Sequence, residues 1–349
     1  MGSPSVSLTA SSFASFASFA SFALLVGCAS DVAVPSPVAR GDAAEEVDET
    51  VLPTDLAEDL GEEVDSPSEE AFPGRTGPVS AATIDFGSGS VEIPVQTIDG
   101  RRVFEGDILV DPEPAPLDPN ETFVEPPPDL AGDDLPSNEA SPQDASETEA
   151  SGANAGALPV RGVAIRGHRW PLGVVSYRVS SRLTDRDRVW DAMRHWKRTT
   201  PIGFRAYRGR GDDYVLIQPG RGCAAVIGYW ARRTTLTLGR PCTRGNAIHE
   251  IGHVIGLFHE QSRNDRGDHV RIHWDNIMDG MEANFRTTSA LGFRAVTPGA
   301  YDTRSIMHYP WNAFSRNGRA TITLVSGGRP SGQRRGLTTR DVATVRSIY

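Results

Sequence analysis

Apolar residues recur at helical spacing between Asp185 and Thr199. Val189, Met193 and Trp196 share one face of that stretch, and arginines lie on the opposite face. This pattern predicts an amphipathic helix whose apolar face packs against a core. We expect these apolar side chains to serve packing and not chemistry.

Short apolar runs bounded by turn residues predict strands, because β-branched and apolar residues dominate strands of a folded core. Three such runs cover residues 170–179, 214–218 and 234–238. The chain closes on residues 337–349, which predict a final helix capped by Thr338 or Thr339.

The residues ahead of this region have a different pattern. Val91, Ile93 and Val95 alternate with polar residues, which predicts one short strand. The stretches on either side, 31–72 and 110–157, are rich in Glu, Asp, Ala, Pro and Ser. Such sequences bury too little apolar surface to offset the entropy of ordering, so we predict disorder in the first and an extended linker in the second.

Charge divides the chain at about residue 159. The 349-residue chain has a net charge of −10, but the residues before 159 carry −27 and those after it carry +17. An acidic segment that lies against a basic domain explains this division, and plain solvation of a disordered tail explains it equally well. No nucleic-acid-binding motif accompanies the basic charge, so we expect no nucleic-acid partner.

One run of the sequence reads HEIGHVIGLFHE and contains the strongest chemical signal in the chain. On a helix, His249 and His253 lie one turn apart and point the same way, so their imidazoles can bind one Zn²⁺. Glu250 can reach a water on that metal, and Gly256 can end the helix and turn the chain. His259 then returns as a third ligand. Three nitrogens and an open fourth position predict a catalytic zinc site.

The run continues as HEQSRNDR over residues 259–266, and residues 305–309 read SIMHY. Both resemble the signatures of the astacin family of metzincin zinc endopeptidases, in which a Met-turn follows the zinc-binding motif. The resemblance implies an α+β zincin fold. Its N-terminal subdomain has a twisted five-stranded sheet and two helices, with the zinc helix on the floor of the cleft. Its irregular C-terminal subdomain contains the Met-turn and the final helix.

The resemblance also implies what the site residues do. One Zn²⁺ per catalytic domain is bound by His249, His253 and His259. Glu250 acts as the general base. Tyr309 is a further zinc ligand that swings away to hydrogen-bond the tetrahedral intermediate; the alternative is a core aromatic residue beside the Met-turn.

Residues next to these ligands receive supporting roles from the same resemblance. Met307 packs beneath the metal without binding it. Glu260 lies beside the amine of the processed N-terminus, or else is an ordinary surface carboxylate. Arg263, Asp265 and Arg266 hold the loop and take no part in the chemistry.

The chain has three cysteines, at Cys28, Cys223 and Cys242. Cys223 and Cys242 flank a predicted hairpin just ahead of the zinc motif, and the resemblance implies that they form a disulfide. A disulfide indicates an oxidising, extracytoplasmic compartment. The cysteines of a second bridge found in many family members do not occur, and Pro201 stands at the place of the first.

Residues 1–30 contain no charged side chain, and an apolar stretch within them ends in the run LVGC. The stretch is too short to span a membrane and fits a secretory signal peptide over residues 1–28. Its last four residues resemble a bacterial lipobox, which implies lipidation of Cys28 and a place in the bacterial cell envelope, anchored to the outer membrane. Ordinary cleaved secretion is the alternative.

Residues 104–108 read FEGDI and resemble an element of astacin propeptides whose aspartate binds the catalytic zinc. The resemblance implies that Asp107 is an inhibitory zinc ligand in the zymogen and that Gly106 lets the backbone pass close to the cleft. The alternative is an ordinary Gly-Asp turn. Processing sites in the family imply cleavage near Arg161 or Arg166.

These inferences divide the chain into a signal peptide with a lipobox over residues 1–28, an acidic and largely disordered prosegment over 29–161, and an astacin-like catalytic domain over 162–349. We expect a secreted or membrane-tethered zinc metalloendopeptidase, made as a zymogen, whose partners are protein or peptide substrates and its own prosegment. The alternative is a catalytically silent surface lipoprotein that uses a zincin domain to bind peptide or glycan. Intact Glu250 and Tyr309 disfavour it.

Substrate recognition is the least constrained part of this interpretation. Residues 226–238 are candidates for the strand that binds substrate by adding it to the sheet. The resemblance also implies a preference for an acidic residue after the cleaved bond, with a basic partner in the cleft. The sequence leaves that partner open among four arginines, which are Arg316, Arg329, Arg334 and Arg335.

Overall fold

The computed structural model describes residues 77–85, 90–110, 116–131, 164 and 167–349, except 210, 212, 294 and 296–298. The predicted signal peptide, the lipidation site Cys28 and the processing sites Arg161 and Arg166 lie outside those residues. None of the helices in the described ranges has the length and hydropathy needed to cross a membrane.

The described residues form both strands and helices, as the predicted α+β class requires. The strands are β1 Val79–Asp85, β2 Ser90–Ile98, β3 Arg101–Phe104, β4 Ile108–Leu109, β5 Phe123–Val124, β6 Val174–Ser180, β7 Gly203–Ala206, β8 Val215–Pro219, β9 Cys223–Val226, β10 Thr234–Leu238, β11 Val270–Ile272 and β12 Ile322–Leu324. The helices are α1 Pro128–Ala131, α2 Asp187–Thr199, α3 Arg244–Val254 and α4 Thr339–Ile348. Short 3-10 turns cover Pro171–Gly173, Glu260–Ser262, Arg266–Asp268, Trp274–Asn276 and Glu282–Phe285.

Ten strands form one mixed sheet in the order β1-β2-β3-β4-β9-β10-β8-β6-β5, with β7 also paired to β6. Five of them, β6 to β10, come from residues 174–238. Within those five, β6, β7, β8 and β10 run parallel and β9 runs antiparallel to β10. The other five come from residues 77–131, which we call the N-terminal segment. This segment extends the sheet at both edges, so it is an integral part of the described fold.

An apolar cluster holds the first half of the N-terminal segment. Ile93 and Phe104 of the segment are fully buried, and they share a cluster with Phe258 and Phe293 from the C-terminal half of the chain. The Phe104 and Phe293 ring centroids lie 5.7 Å apart, and those of Phe258 and Phe293 lie 5.2 Å apart. The alternation around Ile93 therefore predicted β2 correctly, with Ile93 on its buried face.

Residues 116–131 do not form the extended linker that we predicted for them. They contain β5, which pairs with β6, and the short helix α1. Leu130 is buried in the main core, and its carbonyl accepts a 3.1 Å hydrogen bond from Tyr177 Oη. Asp129 pairs with Arg194 of α2 at 2.7 Å. Strand pairing, a buried apolar side chain and an ion pair thus hold a stretch whose composition alone indicated a linker.

The central part of the core lies between the sheet and helices α2 and α3. The predicted apolar face of α2 is buried, with Val189, Met193 and Trp196 all at most 2% exposed. Trp196 Nε1 donates a 3.0 Å hydrogen bond to the carbonyl oxygen of Ile248 on α3, which fixes the two helices against each other. The predicted amphipathic helix is confirmed, and it supports the helix that carries the histidines.

The order of the strands corrects the predicted substrate-binding strand. Residues 234–238 form β10, which lies between β8 and β9 and has no free edge. Among the five strands β6 to β10, β9 lies at the edge beside β10. Strand β4 of the N-terminal segment pairs with β9 in parallel, opposite Ala225 and Val226. Among these five strands the edge strand next to β10 is therefore β9, Cys223–Val226, and residues 234–238 do not form an edge.

The predicted disulfide is confirmed. Cys223 and Cys242 are bonded, with their Cα atoms 5.9 Å apart and 19 residues apart in sequence. The bridge joins the first residue of the edge strand β9 to the turn that precedes α3. It thus fixes the edge strand relative to the helix that carries the histidines.

Replacing both cysteines by serine is expected to lower the free energy of unfolding by about 3 kcal/mol, because opening a loop of this length returns conformational entropy to the unfolded chain. Denaturant titration of the full chain measures this loss. Reduction of the wild-type protein serves as the control and should reproduce most of the effect. A loss below about 1 kcal/mol in both experiments would contradict this role for the bridge.

Candidate metal centre and catalytic site

Helix α3 places two histidines side by side in the interior. Its first turn is closed by a capping box, in which Thr243 Oγ1 accepts from Asn246 N at 3.3 Å and Asn246 Oδ1 accepts from Thr243 N at 2.7 Å. His249 and His253 follow one turn apart and are at most 1% exposed. The helix ends at Val254.

The chain then turns back towards the same place. Gly256 has φ +99°, a conformation that side chains disfavour, and it follows directly after the last turn of α3. Leu257 N donates to Gly252 O at 2.9 Å and closes the turn. His259 comes back to within 3.3 Å of His249, measured between their Nε2 atoms, and is fully buried. The predicted three-histidine arrangement is present.

A fourth side chain enters from the N-terminal segment. Asp107 Oδ2 lies 3.2 Å from His249 Nε2 and 3.2 Å from His259 Nε2, and Asp107 Oδ1 lies 3.4 Å from His253 Nε2. One candidate ligand atom from each of the four residues lies within 4.8 Å of the others. Asp107 and His249 are 142 residues apart in sequence. They meet because β4, which directly follows Asp107, pairs with β9.

His249 and His253 each use Nδ1, the outer ring nitrogen, for a hydrogen bond. This leaves Nε2, the inner ring nitrogen, free to bind a cation. His249 Nδ1 donates to the carbonyl oxygen of Ile306 at 2.7 Å, and His253 Nδ1 donates to that of Leu257 at 2.8 Å. These bonds place the proton on Nδ1 and direct the Nε2 lone pair inward. His253 Nε2 and Asp107 Oδ1 are buried and form no hydrogen bond. Three imidazole nitrogens and a carboxylate oxygen are ligands that suit one zinc ion.

The electrostatics of the site also favour a cation. Burial, with a contribution from Arg334, holds the pKa of His249 well below its usual value, so this ring stays neutral as a ligand must. Burial opposes protonation of His259, but the carboxylates of Asp107 and Glu105 outweigh it and raise the pKa of His259 to about 9. These two carboxylates thus place negative charge beside the three imidazoles, which favours a bound divalent cation.

Tyr309 and the Met-turn, residues 305–309, lie against the histidines. The Tyr309 ring centroid is 4.5 Å from that of His259, and its hydroxyl donates to the carbonyl oxygen of Glu105 at 2.5 Å. Met307 is buried beneath α3, where a carbon added at Gly252 would approach its Sδ to 2.5 Å. Glu250 lies on α3 between the first two histidines and is 1% exposed. Asp107, Tyr309 and Met307 thus lie beside the helix and the loop that carry the three histidines.

Residues 163–349 match the sequence profile of the Astacin family of peptidases. The match covers more than half of the chain. The chain belongs to the astacin family. The family uses one zinc ion, and the site of three histidines and an aspartate fits it.

Individual relatives agree with this assignment. Zinc metalloproteinase nas-15 of Caenorhabditis elegans is 36% identical over 183 residues, which are 52% of this chain and 32% of that relative. Astacin-like metalloprotease toxin 2 of Loxosceles intermedia is 35% identical over 201 residues, 54% of this chain and 75% of the relative. The chain spans only about a third of the length of nas-15, so the comparison concerns the shared domain alone.

Among solved structures, the chain is similar to high choriolytic enzyme 1, a hatching enzyme zinc-protease from the medaka fish Oryzias latipes. The sequence identity is 30% and the TM-score is 0.47. The alignment covers 52% of this chain and 92% of the fish enzyme.

Arg263 and Arg266 form hydrogen bonds within the loop that follows His259, as the resemblance implied. Arg263 donates to both oxygens of Asp265, at 2.8 Å and 2.5 Å, and Arg266 Nη1 donates to Gln261 O at 2.9 Å. Glu260 is buried, not exposed, and its Oε1 accepts from Asp302 N at 2.8 Å. Burial raises the pKa of Glu260 to about 8, against the opposing effect of Arg263, whose Nη1 lies 3.5 Å from Glu260 Oε1.

The four arginines proposed for an acidic substrate have different surroundings. Arg334 Nη1 donates to the carbonyl oxygens of Ile306 and His308 and so supports the Met-turn. Arg316 pairs with Asp279 at 3.2 Å, and Arg329 stacks 3.8 Å from the centroid of the Trp311 ring. Arg335 has interactions of its own as well. The preference for acidic substrates stays a prediction.

Sequence reasoning missed Asp341, which anchors the Met-turn. As residue N3 of α4 it completes a capping box with Thr338. The same carboxylate accepts from Ser305 Oγ at 2.6 Å and from Ile306 N at 3.0 Å. Burial, together with the charge of Asp302, raises the pKa of Asp341 to about 6. The position of Asp341, three residues after the predicted cap Thr338, was a visible signal of the capping box. Its contact with Ser305 was not visible, because the two residues are 36 positions apart in sequence.

Asp341→Asn is expected to remove a pH dependence of stability. Because the folded pKa of Asp341 is raised, the wild-type stabilisation is fully present below pH 4 and is lost as the pH rises through about 6. The loss corresponds to about 2–3 kcal/mol. Unfolding free energies of both proteins at pH 4 and pH 7 measure it. The exposed Asp268→Asn should keep the wild-type slope, and an unchanged slope in Asp341→Asn would contradict the assignment.

Proposed function

We propose that this chain is a zinc metalloendopeptidase that is synthesised as an inactive zymogen. The observation that supports the proposal most strongly is the position of Asp107. Its carboxylate lies among the Nε2 atoms of three histidines at 3.2–3.4 Å, in the place of the open fourth position of a catalytic zinc site. The N-terminal segment then acts as the inhibitory prosegment.

The residues around the metal divide the work of peptide hydrolysis. His249, His253 and His259 hold the ion. When bound, zinc would supply a Lewis acid for the scissile carbonyl and would lower the pKa of the attacking water. Glu250, buried on α3 beside the first histidine, takes the proton from the attacking water and delivers it to the leaving amine.

Tyr309 is the proposed donor to the substrate carbonyl oxygen as that oxygen gains negative charge. Its ring already packs 4.5 Å from the ring of His259, which supports a position near the reacting carbonyl. In the uncleaved chain its hydroxyl donates a hydrogen bond to the carbonyl oxygen of Glu105. Removal of the prosegment releases the hydroxyl, and a hydrogen bond that strengthens as charge develops favours the transition state.

The prosegment blocks the substrate path in a second way. A peptide substrate can bind by adding a strand to the free edge of β9. In the uncleaved chain Ile108 and Leu109 occupy that edge, opposite Ala225 and Val226. Inhibition therefore combines occupation of the metal position with occupation of the strand edge.

Maturation is proposed to follow cleavage near Arg161 or Arg166. Ala164, between these two positions, is buried and bridges to Leu257 in the loop that leads to His259. Glu260 is a buried carboxyl with a pKa raised to about 8. An N-terminal amine that reached Glu260 would add a second cation to Arg263, whose Nη1 lies 3.5 Å from Glu260 Oε1, and this supports a coupling between cleavage and the site.

Export is part of the proposal. The disulfide between Cys223 and Cys242 suits an oxidising compartment outside the cytoplasm. The signal-peptide pattern and the lipobox at Cys28 add an anchor on the prosegment side of the processing sites. Cleavage near residue 161 then both frees the zinc site and releases the peptidase from the membrane.

The test is digestion of a peptide mixture by the full chain after processing near Arg161 or Arg166. We expect cut peptides by mass spectrometry, no cutting in the presence of a zinc chelator, and recovery when zinc is restored. Folded, zinc-loaded, processed protein that cuts nothing would contradict the proposal and favour the silent peptide-binding protein.

A further inference from the structure

Glu105 lies two residues before Asp107 in the FEGDI run and is completely buried. Its φ of +45° is unusual for a residue with a side chain, and Gly106 follows with φ +77°. This tight turn directs the carboxylates of Glu105 and Asp107 to opposite sides of one histidine. A disfavoured conformation at a buried acidic residue indicates that the surrounding contacts hold it there.

Those contacts are to the metal site and its loop. Glu105 Oε2 accepts from His259 Nδ1 at 2.9 Å, and Glu105 Oε1 accepts from Ser262 Oγ at 2.6 Å. The Glu105 carbonyl oxygen accepts from Tyr309 Oη at 2.5 Å. One residue of the N-terminal segment therefore bonds to three residues of the domain that contains the zinc ligands.

The partner of His259 differs in kind from those of the other two histidines. His249 and His253 donate their outer N–H to backbone carbonyls of their own domain. His259 donates to a carboxylate, and that carboxylate belongs to a segment that processing removes. A carboxylate on the outer nitrogen fixes the tautomer and orientation of the ring and makes the inner nitrogen a stronger ligand.

We propose that Glu105 is a positioning residue of the zinc site, so that the uncleaved chain binds zinc more tightly than the processed domain does. The inference rests on the proposed function for the identity of the metal. The prosegment then has a second task besides inhibition. It completes the site from two sides, with Asp107 as a ligand and Glu105 behind His259, and so favours zinc loading before maturation.

The test is the zinc affinity of the uncleaved full chain, measured by competition with a chromophoric chelator. Glu105→Gln keeps the size of the side chain, accepts from His259 and donates to Ser262, but removes the charge. We expect it to bind zinc about tenfold more weakly than the wild type. Glu92→Gln, an exposed position on β2 of the same segment, is the matched control and should not change the affinity.

A second measurement separates positioning from a purely structural role. The Tm of each uncleaved protein is measured with and without zinc. We expect Glu105→Gln to retain the Tm of the zinc-free wild type and to show a smaller rise on adding zinc, because the stabilisation by a bound ligand grows with the logarithm of its affinity. An affinity within about twofold of wild type, or an equal drop in Tm with and without zinc, would overturn the proposal.

Neither measurement needs peptide cleavage. If the processed wild-type chain fails to cut peptides while Glu105→Gln still weakens zinc binding, the proposed function fails and the inference about Glu105 stands. If the processed chain cuts peptides and Glu105→Gln binds zinc as the wild type does, the inference fails alone.

Discussion

Glu250→Gln is expected to reduce kcat/KM of the processed chain for a peptide substrate by a factor of about 10³, while the protein still binds one zinc ion per chain. Glutamine has nearly the same shape but cannot take a proton from water or return one to the leaving amine. Glu250 is not among the four residues whose ligand atoms converge on the metal position, so zinc binding does not depend on it.

Two readouts make this prediction specific. Hydrolysis of a fluorogenic peptide gives kcat/KM, and metal analysis of the same sample gives the zinc content. Glu282→Gln changes an exposed glutamate and should retain both wild-type values. Activity of Glu250→Gln within about tenfold of wild type would show that another group moves the proton.

Asp107→Ala is expected to give the uncleaved chain peptidase activity that the uncleaved wild type lacks. Asp107 contacts His249 and His259 at 3.2 Å each, and among the described residues of the segment it alone offers a ligand atom that joins the three histidines. Losing charge-assisted contacts of this kind weakens the binding of the prosegment to the site by about 3 kcal/mol. This corresponds to about a hundredfold gain in the activity of the uncleaved chain.

The gain should stay below the activity of the processed chain. Ile108 and Leu109 still pair with β9, and Glu105 still holds Tyr309 and His259. Glu92→Ala provides the control in the same segment, because it is exposed and should leave the uncleaved chain silent. If uncleaved Asp107→Ala is as inactive as wild type while both processed proteins are active, inhibition does not depend on the aspartate.

The features predicted well from the sequence are those in which chemistry and local spacing coincide. His249 and His253 are ligands one helical turn apart, and Gly256 marks the turn that returns His259. The apolar face of α2 was equally clear, because helical periodicity alone places Trp196 in the core.

The features that were missed depend on contacts between distant parts of the chain. Glu105 occupies the position that the F-x-G-D-I pattern leaves variable, and its partner His259 is 154 residues further along. Leu130 lies in a proline-rich stretch, where the composition hides an apolar side chain that reaches the core. Strand periodicity identified β10 but not its neighbours, so it could not indicate that β9 is the edge.

The most direct test of the account compares the uncleaved and processed forms of the same full-length wild-type chain on one fluorogenic peptide, with zinc content measured in both. We expect one zinc per chain in each form and hydrolysis in the processed form alone, abolished by a chelator. Equal hydrolysis by both forms, or none by a zinc-loaded processed chain, would contradict it.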